Sequence, residues 1–214
     1  MLFDAVGTLI ELREPVGESY ARLARAHGAE VPAARLDAAF ARLWREGGPM
    51  PGGADPAEER AWWRERVAAT FREAAPGLRF AGFDACFDDL WRHFAGGGAW
   101  RRRPGSREIL VELGRRGLAR AVVSNFDRRL SCVLSELGLA PHLDALVLPG
   151  EAGAPKPDPR IFALALERLG VAAAQALYVG DDRELDLEAA RRAGLRAIGV
   201  DGLAKLADLT RELA

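Results

Sequence analysis

Strand and helix patterns alternate regularly in the second half of the chain, and this alternation is the strongest constraint on the fold. Short apolar runs typical of buried strands are separated by amphipathic segments with helical spacing. The predicted strands are 119–123, 145–148, 176–179 and 197–200, and the predicted helices are 105–116, 128–137, 159–169, 185–193 and a terminal helix after Leu203. Strands that alternate with helices form crossover units and a parallel sheet. We therefore expect an α/β fold built on a parallel sheet.

An all-helical insertion interrupts this pattern near the N-terminus. A first apolar run, 1–3, opens a strand region that extends to Leu12, and the alternation resumes only at Gly98. Helical patterns at 17–28, 35–44, 56–74 and 82–94 occupy the roughly 85 residues between. A crossover needs only about a dozen residues, so this segment is predicted to be a domain of its own. The expected division is a core of 1–12 and 98–214 and a helical domain of 13–97.

Composition excludes several classes of function. The 214 residues carry a formal net charge of -1, which gives no electrostatic case for a nucleic-acid or membrane partner. No apolar stretch reaches the roughly 18 residues of a membrane span, and the first residues lack a signal-peptide pattern. The two cysteines, Cys86 and Cys132, lack the spacing of a zinc site. We expect a cytoplasmic protein, and the sequence carries no signal for its oligomeric state.

Tryptophan is concentrated in the helical insertion, at Trp44, Trp62, Trp63 and Trp91. Large aromatic rings at helical positions usually bury their area in a core or an interface. We therefore expect these tryptophans to pack against one another and not to form a ligand cage.

Polar residues follow the predicted strands at the points where those strands end. They are Asp4 after 1–3, Ser124 and Asn125 after 119–123, Asp181 and Asp182 after 176–179, and Lys156 in the proline-rich turn 154–159. Ligands of open α/β sheets bind at the carboxyl ends of the strands, so these side chains are predicted to share one site. Asn125 is the only asparagine of the chain and Lys156 is one of two lysines, which adds to the case.

In this order and at these positions, the residues resemble four motifs of the haloacid dehalogenase (HAD) superfamily, in particular its hydrolases with a helical cap inserted just after the first strand. The motifs are Asp4 to Thr8, Val123 to Asn125, Lys156 to Pro159, and Gly180, Asp181 and Asp182 with Asp186. The resemblance covers essentially the whole chain. It implies a Rossmann-like parallel sheet core, a cap domain of 13–97, and membership of a phosphatase-like subgroup of uncertain substrate. Only three residues precede Asp4, against ~5–6 in a typical strand, which leaves room for a natural start upstream.

The resemblance implies a role for each motif. Asp4 would be the nucleophile that attacks phosphorus, so that hydrolysis passes through an aspartyl phosphate. Ser124 and Lys156 would bind the phosphoryl oxygens and neutralise their charge. Thr8 and Asn125 are further candidates for substrate binding, and Asn125 has the equal alternative of holding its loop.

A magnesium ion is the implied cofactor. Its expected ligands are Asp4, Asp181 and the backbone carbonyl of Val6, a set of oxygen ligands that suits Mg²⁺. Asp182 or Asp186 is expected to bind the metal through water or to hold the motif lysine in place. For Asp186, capping of the following helix is the alternative.

Val6 departs from the family pattern. In phosphatases that resemble this chain, position 6 is a second Asp, which protonates the leaving oxygen and then activates water. Valine does neither, and the loss of a general acid typically costs ~10² to 10⁴ in rate. Three explanations remain: a substrate whose leaving group needs no proton, such as an acyl phosphate or activated ester; an acid supplied by the cap or the substrate; or ligand binding with little turnover.

The preferred function is magnesium-dependent hydrolysis of a small phosphorylated metabolite. The alternatives are a catalytically weak phospho-ligand-binding or regulatory module, and a metal-independent 2-haloacid dehalogenase. Dehalogenases of the superfamily also lack the second Asp, but they tend to carry tyrosine at that position and lack the Gly-Asp-Asp type of fourth motif. Asp181 and Asp182 therefore favour metal-dependent phosphoryl chemistry.

Overall fold

A five-stranded parallel sheet forms the centre of the molecule in the computed structural model, which describes residues 1–48, 50, 52–53, 55–200, 206 and 209. The strands of the described part are β1 (Leu2–Phe3), β2 (Ile10–Leu12), β3 (Trp100–Arg102), β4 (Ala121–Val123), β5 (Ala145–Val147), β6 (Leu177–Gly180) and β7 (Arg196–Gly199). The sheet order is β5-β4-β1-β6-β7, with every pairing parallel. The predicted α/β fold is confirmed.

The three central strands are buried on both faces. β1, β4 and β6 have no exposed residue, as expected for strands covered by helices on both sides, which read as continuous apolar runs. From β1 the chain adds β4 and β5 on one side, and β6 and β7 then lie on the other side. Such a reversal of direction opens a crevice at the carboxyl ends of the strands on either side of it, here β1 and β6.

The described helices agree closely with the predicted ones. They are α1 (Val16–Ala26), α2 (Ala33–Glu46), α3 (Pro56–Ala74), α4 (Phe83–Ala95), α5 (Ser106–Arg115), α6 (Leu130–Glu136), α7 (Pro149–Ala152), α8 (Pro159–Leu169) and α9 (Ala189–Arg192). The segment predicted as one helix, 185–193, instead begins as a π-helix, Arg183–Glu188, that continues into α9. The helix predicted after Leu203 lies outside the described residues.

Helices α1 to α4 share a hydrophobic core of their own, built around Tyr20, Leu36, Phe71 and Phe87. Two other clusters cover the faces of the parallel sheet, one around Phe3 and the other around Leu2, Phe162 and Tyr178. The helical segment therefore does not depend on the sheet for its core. The domain boundaries at 12/13 and 97/98 stay predictions.

A two-stranded antiparallel ribbon joins β2 to β3 and was not expected from the sequence. Ile10 pairs with Arg102 and Leu12 with Trp100, so the chain enters and leaves the helical segment through adjacent strands. β3 was missed because Arg101 and Arg102 are exposed and give the strand no apolar alternation. Arg101 forms an ion pair with Glu11 across the ribbon.

Among the described residues, no helix is both long enough and apolar enough to cross a membrane.

Leu110 and Leu118 offer a matched test of the core on one face of the sheet. Leu110 is fully buried in α5, whereas Leu118 is 40% exposed. Leu110→Ala is expected to lower the free energy of unfolding by ~2–5 kcal/mol, because it removes buried contacts and leaves a cavity. Leu118→Ala should change it by less than about 0.5 kcal/mol. Urea unfolding measures both, and equal losses would contradict this packing.

Candidate active site

Asp4 and Lys156 form a buried ion pair at the carboxyl end of β1. The backbone N–H of Asp4 donates to the carbonyl of Val179 in β6, which continues the sheet by one residue. Lys156 Nζ donates to Asp4 Oδ1 at 2.7 Å, and the two side chains are only 3% and 8% exposed. The same ammonium donates to Asp186 Oδ1 at 2.6 Å and to the Tyr178 hydroxyl at 3.1 Å. Three separate stretches of the chain therefore meet at one cation.

Gly7 allows Asp181 to approach the turn that follows Asp4. Its φ of 88° lies in the left-handed region, and a Cβ at this position would overlap the Asp181 carboxylate. Thr8 Oγ1 donates to Asp181 Oδ1 at 3.3 Å, and Thr8 is fully buried. The Thr8 hydroxyl is thus engaged with Asp181, and substrate binding by Thr8 stays a prediction. Arg103, which the sequence did not single out, donates to the Gly7 carbonyl and holds the other side of the turn.

Asn125 holds the loop that carries Lys156. Its Nδ2 donates to the Lys156 carbonyl at 2.9 Å, and the Lys156 N–H donates to its Oδ1 at 2.6 Å. Both ends of the amide are engaged, so the geometry favours loop-holding over substrate binding. Ser124 is buried, and among the described residues its Oγ accepts only a long bond from the Phe126 N–H, 3.3 Å, which leaves the hydroxyl proton available to a ligand.

Asp186 and Asp182 divide the two roles that the sequence left open. Asp186 Oδ1 accepts from Lys156 and lies 2.9 Å from the Tyr178 hydroxyl, while its Oδ2 accepts from the N–H groups of Asp181 and Asp182. Asp182 caps the π-helix by accepting from the N–H groups of residues 184 and 185. Asp186 therefore steadies the lysine, and the capping role belongs to Asp182. Gly180 makes room, because a Cβ there would overlap the Asp186 carboxylate.

Tyr178 belongs to the site and was missed from the sequence. It lies inside the apolar run of β6, is fully buried, and places its hydroxyl between Lys156, Asp186 and the Val123 carbonyl. A buried tyrosine hydroxyl needs such partners, so a tyrosine within an apolar strand next to a candidate site is a usable sequence signal.

The charges of the site are unbalanced. Burial raises the pKa of Asp4 to about 7; Lys156 opposes this rise, and Asp186 and Asp181 add to it. Burial also raises the pKa of Asp181, with Asp186 as the next cause. Burial lowers the pKa of Lys156, but Asp4 and Asp186 outweigh this effect, and the net pKa is well above its ordinary value. Lys156 is therefore protonated and positively charged. The carboxyl groups of Asp4, Asp181 and Asp186 face this one ammonium.

The surplus of carboxylates fits a divalent cation. Oxygen atoms of Asp4, Asp181 and Asp186 lie within 4.8 Å of one another. Both oxygens of Asp186 already accept hydrogen bonds, which leaves Asp4 and Asp181 as the side chains able to ligate a metal. Hard oxygen ligands with room for water suit Mg²⁺. Ligation by the Val6 carbonyl stays a prediction.

A cavity of about 370 Å³ opens from this cluster toward the helical segment. Asp4, Ser124, Lys156 and Asp181 line its polar end, and Val6, 36% exposed, also faces it. Three tryptophans of the insertion pack against one another, with Trp44 in contact with both Trp62 and Trp63, and Trp91 packs against Phe87. In addition, Trp44, Trp63 and Trp91 contribute to the wall of the cavity, which the packing expectation did not include.

Two neighbouring arginines connect the loop after β4 to the helical segment. Arg128 forms an ion pair with Glu59 of α3, a residue that is 2% exposed. The Arg129 guanidinium lies 3.7 Å from the ring centroid of Trp91 in α4 and pairs with buried Asp127. These contacts to α3 and α4 thus hold the helical segment against the polar end of the cavity.

Comparisons with known proteins agree with this architecture. Residues 1–194 match the family model of the haloacid dehalogenase-like hydrolases. The mouse protein called haloacid dehalogenase-like hydrolase domain-containing protein 3 is 38% identical, with 99% of this chain and 85% of the relative covered. A phosphoserine phosphatase of Thermus thermophilus is 43% identical over a shorter stretch, 46% of this chain and 40% of the relative. The solved structure of L-2-haloacid dehalogenase from Xanthobacter autotrophicus, with chloropropionic acid covalently bound, superposes with a TM-score of 0.72 at 25% identity, covering 99% of this chain and 80% of that one.

The parallel sheet with an acidic cluster at its carboxyl edge defines an α/β protein whose candidate site lies at the strand ends. The chain belongs to the haloacid dehalogenase-like hydrolase family, and phosphatases and dehalogenases are among its relatives.

Gly7 and Gly117 provide a matched test of the turn geometry. Both have positive φ, 88° and 72°, but only at Gly7 does an added Cβ meet a neighbour. Gly117→Ala should cost ~1–2 kcal/mol of stability from backbone strain alone. Gly7→Ala should cost ~2–5 kcal/mol, because overlap with Asp181 adds to the strain. Chemical unfolding compares the two variants, and an equal cost would show that Asp181 does not pack against the turn.

Proposed function

We propose that this protein is a magnesium-dependent phosphatase-type hydrolase in which Asp4 is the nucleophile. One observation carries the proposal: the Asp4 carboxylate is buried at the end of β1, held by Lys156 through Oδ1, in a cavity that it shares with Asp181. A carboxylate fixed through one oxygen keeps the other oxygen free for attack. Nucleophilic catalysis of this kind replaces one difficult step by two easier ones.

The residues divide the work as follows. A free oxygen of Asp4 attacks phosphorus, the bond from phosphorus to the leaving oxygen breaks, and its electron pair stays on the leaving group. Ser124 donates its hydroxyl proton to a phosphoryl oxygen, and the Lys156 ammonium offsets the charge on Asp4 and on the phosphoryl group. Water then attacks the aspartyl phosphate, releases inorganic phosphate and restores Asp4. Asp186 and Asn125 keep Lys156 in place through both steps.

Asp4 and Asp181 are the side chains that would hold Mg²⁺, with the Val6 carbonyl as the expected third ligand. When bound, the ion supplies positive charge that offsets the surplus of carboxylates and polarises the phosphoryl group. Thr8 and the Gly7 turn serve this role indirectly, because they orient Asp181.

The helical domain of 13–97 acts in this proposal as a cap over the site. Its contacts to the loop after β4, through Arg128 and Arg129, and its share of the cavity wall support that role. A closed cap excludes water from the reacting atoms and selects the substrate by the shape of its wall.

Val6 limits the range of substrates. The Val6 side chain cannot protonate the leaving oxygen, so substrates whose leaving group is stable as an anion should be turned over best. The absence of the second carboxylate also favours one alternative, metal-independent dehalogenation, in which Asp4 would attack carbon and release halide. Asp181 is oriented by a hydrogen bond from Thr8 and fits into the space that Gly7 leaves. A carboxylate held in this way opposes the dehalogenase alternative, because displacement of halide from a 2-haloacid needs no cation at Asp181.

Asp4→Asn tests the nucleophile. Hydrolysis of acetyl phosphate with Mg²⁺ should fall by at least ~10³-fold, since the loss of a nucleophile is among the most costly changes to an enzyme. Asp84→Asn is the control, because Asp84 is an exposed residue of α4 that does not line the cavity.

Phosphate release, halide release from 2-chloropropionate and calorimetric binding of Mg²⁺ and phosphate separate the candidate functions. Equal phosphatase rates in native protein and Asp4→Asn would remove Asp4 as nucleophile. Halide release that a chelator does not affect would establish a dehalogenase, and binding without any turnover would establish a binding module.

Val6→Asp tests the missing acid. The change should raise kcat for an ordinary alkyl phosphate, such as glycerol phosphate, by ~10² to 10⁴, because it supplies a proton to an alkoxide leaving group. Val6→Asn is the control, since it has the same shape and no acidic proton. If both variants leave the rate unchanged, the acid is supplied elsewhere in the native enzyme.

A further inference from the structure

The cavity wall beyond the polar cluster is largely aromatic. Helices of the cap and the loop after β4 contribute to it together, through Phe40, Trp63, Phe87, Trp91, Phe94 and Phe126. The cavity is continuous with Asp4 and Lys156, so a molecule bound there through a phosphoryl group must place the rest of its structure against these rings. Rings of this kind bind flat apolar groups by burial and by edge or face contacts.

Most polar groups on the same wall are already engaged, although the Trp63 indole N–H has no hydrogen-bond partner in the described part of the chain. The Arg129 guanidinium pairs with Asp127 and covers the Trp91 ring, both amide atoms of Asn125 bond to the Lys156 backbone, and Asp182 caps the π-helix. Tyr20 adds one hydroxyl to the wall. A sugar or polyol bound here would leave most of its hydroxyl groups without partners once water is expelled, and unpaired buried polar groups are costly.

The size of the cavity sets a second limit. About 370 Å³ lies at the lower end of the ~300–1,000 Å³ that small-molecule sites occupy. After the phosphoryl group is seated, the remaining space suits a group of one or two rings.

The chemistry at position 6 points to the same class of leaving group. Val6 supplies no proton, so the leaving oxygen must depart as an anion. A phenol has a pKa of about 10, as in the tyrosine side chain, whereas that of water is about 15.7 and alcohols resemble water. A phenolate therefore leaves without a general acid far more readily than an alkoxide.

We propose that the substrate is the phosphate monoester of an apolar phenol with one or two rings, whose aromatic group lies between the cap and the loop after β4. This inference rests on the proposed function and narrows it to one substrate class. Asp4 forms a bond to phosphorus while the bond from phosphorus to the phenolic oxygen breaks, and the electron pair leaves with the phenolate. The phenolate takes a proton from water; the hydroxide so formed is consumed when the aspartyl phosphate is hydrolysed, which releases hydrogen phosphate and regenerates Asp4.

A substrate series on the native protein with Mg²⁺ tests the inference. The compounds are 2-naphthyl phosphate, phenyl phosphate, 4-carboxyphenyl phosphate and acetyl phosphate. We expect kcat/KM to be at least ~10-fold higher for the naphthyl than for the phenyl ester, because each apolar group that the pocket buries strengthens transition-state binding. The carboxyphenyl ester should be poorest of the three aryl esters, although its electron-withdrawing group makes the phenolate leave more easily. Leaving-group chemistry alone predicts the reverse order for the carboxyphenyl ester.

The series also distinguishes the two proposals. If acetyl phosphate is hydrolysed in an Asp4-dependent reaction while the aryl esters react equally or in the reverse order, the aromatic assignment is wrong and the phosphatase proposal stands. If none of the four compounds is hydrolysed, the phosphatase proposal fails and this assignment fails with it.

Trp63 and Trp62 give a matched pair of variants on α3. Trp63 lines the cavity and Trp62 does not, although both belong to the same aromatic cluster. Trp63→Ala should lower the ratio of kcat/KM for naphthyl phosphate to that for acetyl phosphate by about tenfold, through loss of ring contact. Trp62→Ala should keep that ratio within about twofold of the native value, as expected for a residue outside the cavity. An equal fall in both variants would overturn the assignment, and the substrate series decides alone if Trp63→Ala does not fold.

Discussion

The buried ammonium of Lys156 is the interaction on which the rest of the site depends. Removing a lysine from water is costly unless carboxylates and hydrogen-bond acceptors surround it, and here Asp4, Asp186 and Tyr178 do so. These partners come from the end of β1, the interior of β6 and the π-helix that follows β6, so one cation joins parts of the chain that are far apart in sequence. The remaining surplus of negative charge is what the proposed magnesium ion would offset.

Small and irregular features of the backbone make this arrangement possible. Gly7 and Gly180 leave space for the carboxylates of Asp181 and Asp186, respectively. The π-helix carries Asp186 where one side chain reaches two backbone N–H groups and the lysine at once. Such single-turn irregularities are frequent at functional sites, and the helical pattern of the sequence does not reveal them.

Most of the fold and the membership of the site could be predicted from the sequence, because both depend on local patterns. Apolar periodicity identified the strands and helices, the strand ends identified Asp4 and Asp181, and the proline-rich turn identified Lys156. The division of roles between Asp182 and Asp186 could not be predicted, because it depends on the turn after Asp182 being a π-helix and not an α-helix. The contact of Thr8 with Asp181 and the place of Tyr178 in the site were missed, since these contacts join residues that are distant in sequence. The aromatic wall could not be predicted either, because the apolar periodicity of a helix is the same whether its rings face a core or a cavity.

The antiparallel ribbon of β2 and β3 has a consequence for how this architecture diversifies. Because Leu12 and Trp100 are paired neighbours, the two ends of the helical segment are as close as the ends of a hairpin loop. A segment inserted between such ends can be exchanged for another, or reduced to a tight turn, without moving the sheet or its catalytic edge. New selectivity can then arise by replacing one continuous stretch of the gene, while the chemistry below it is left unchanged.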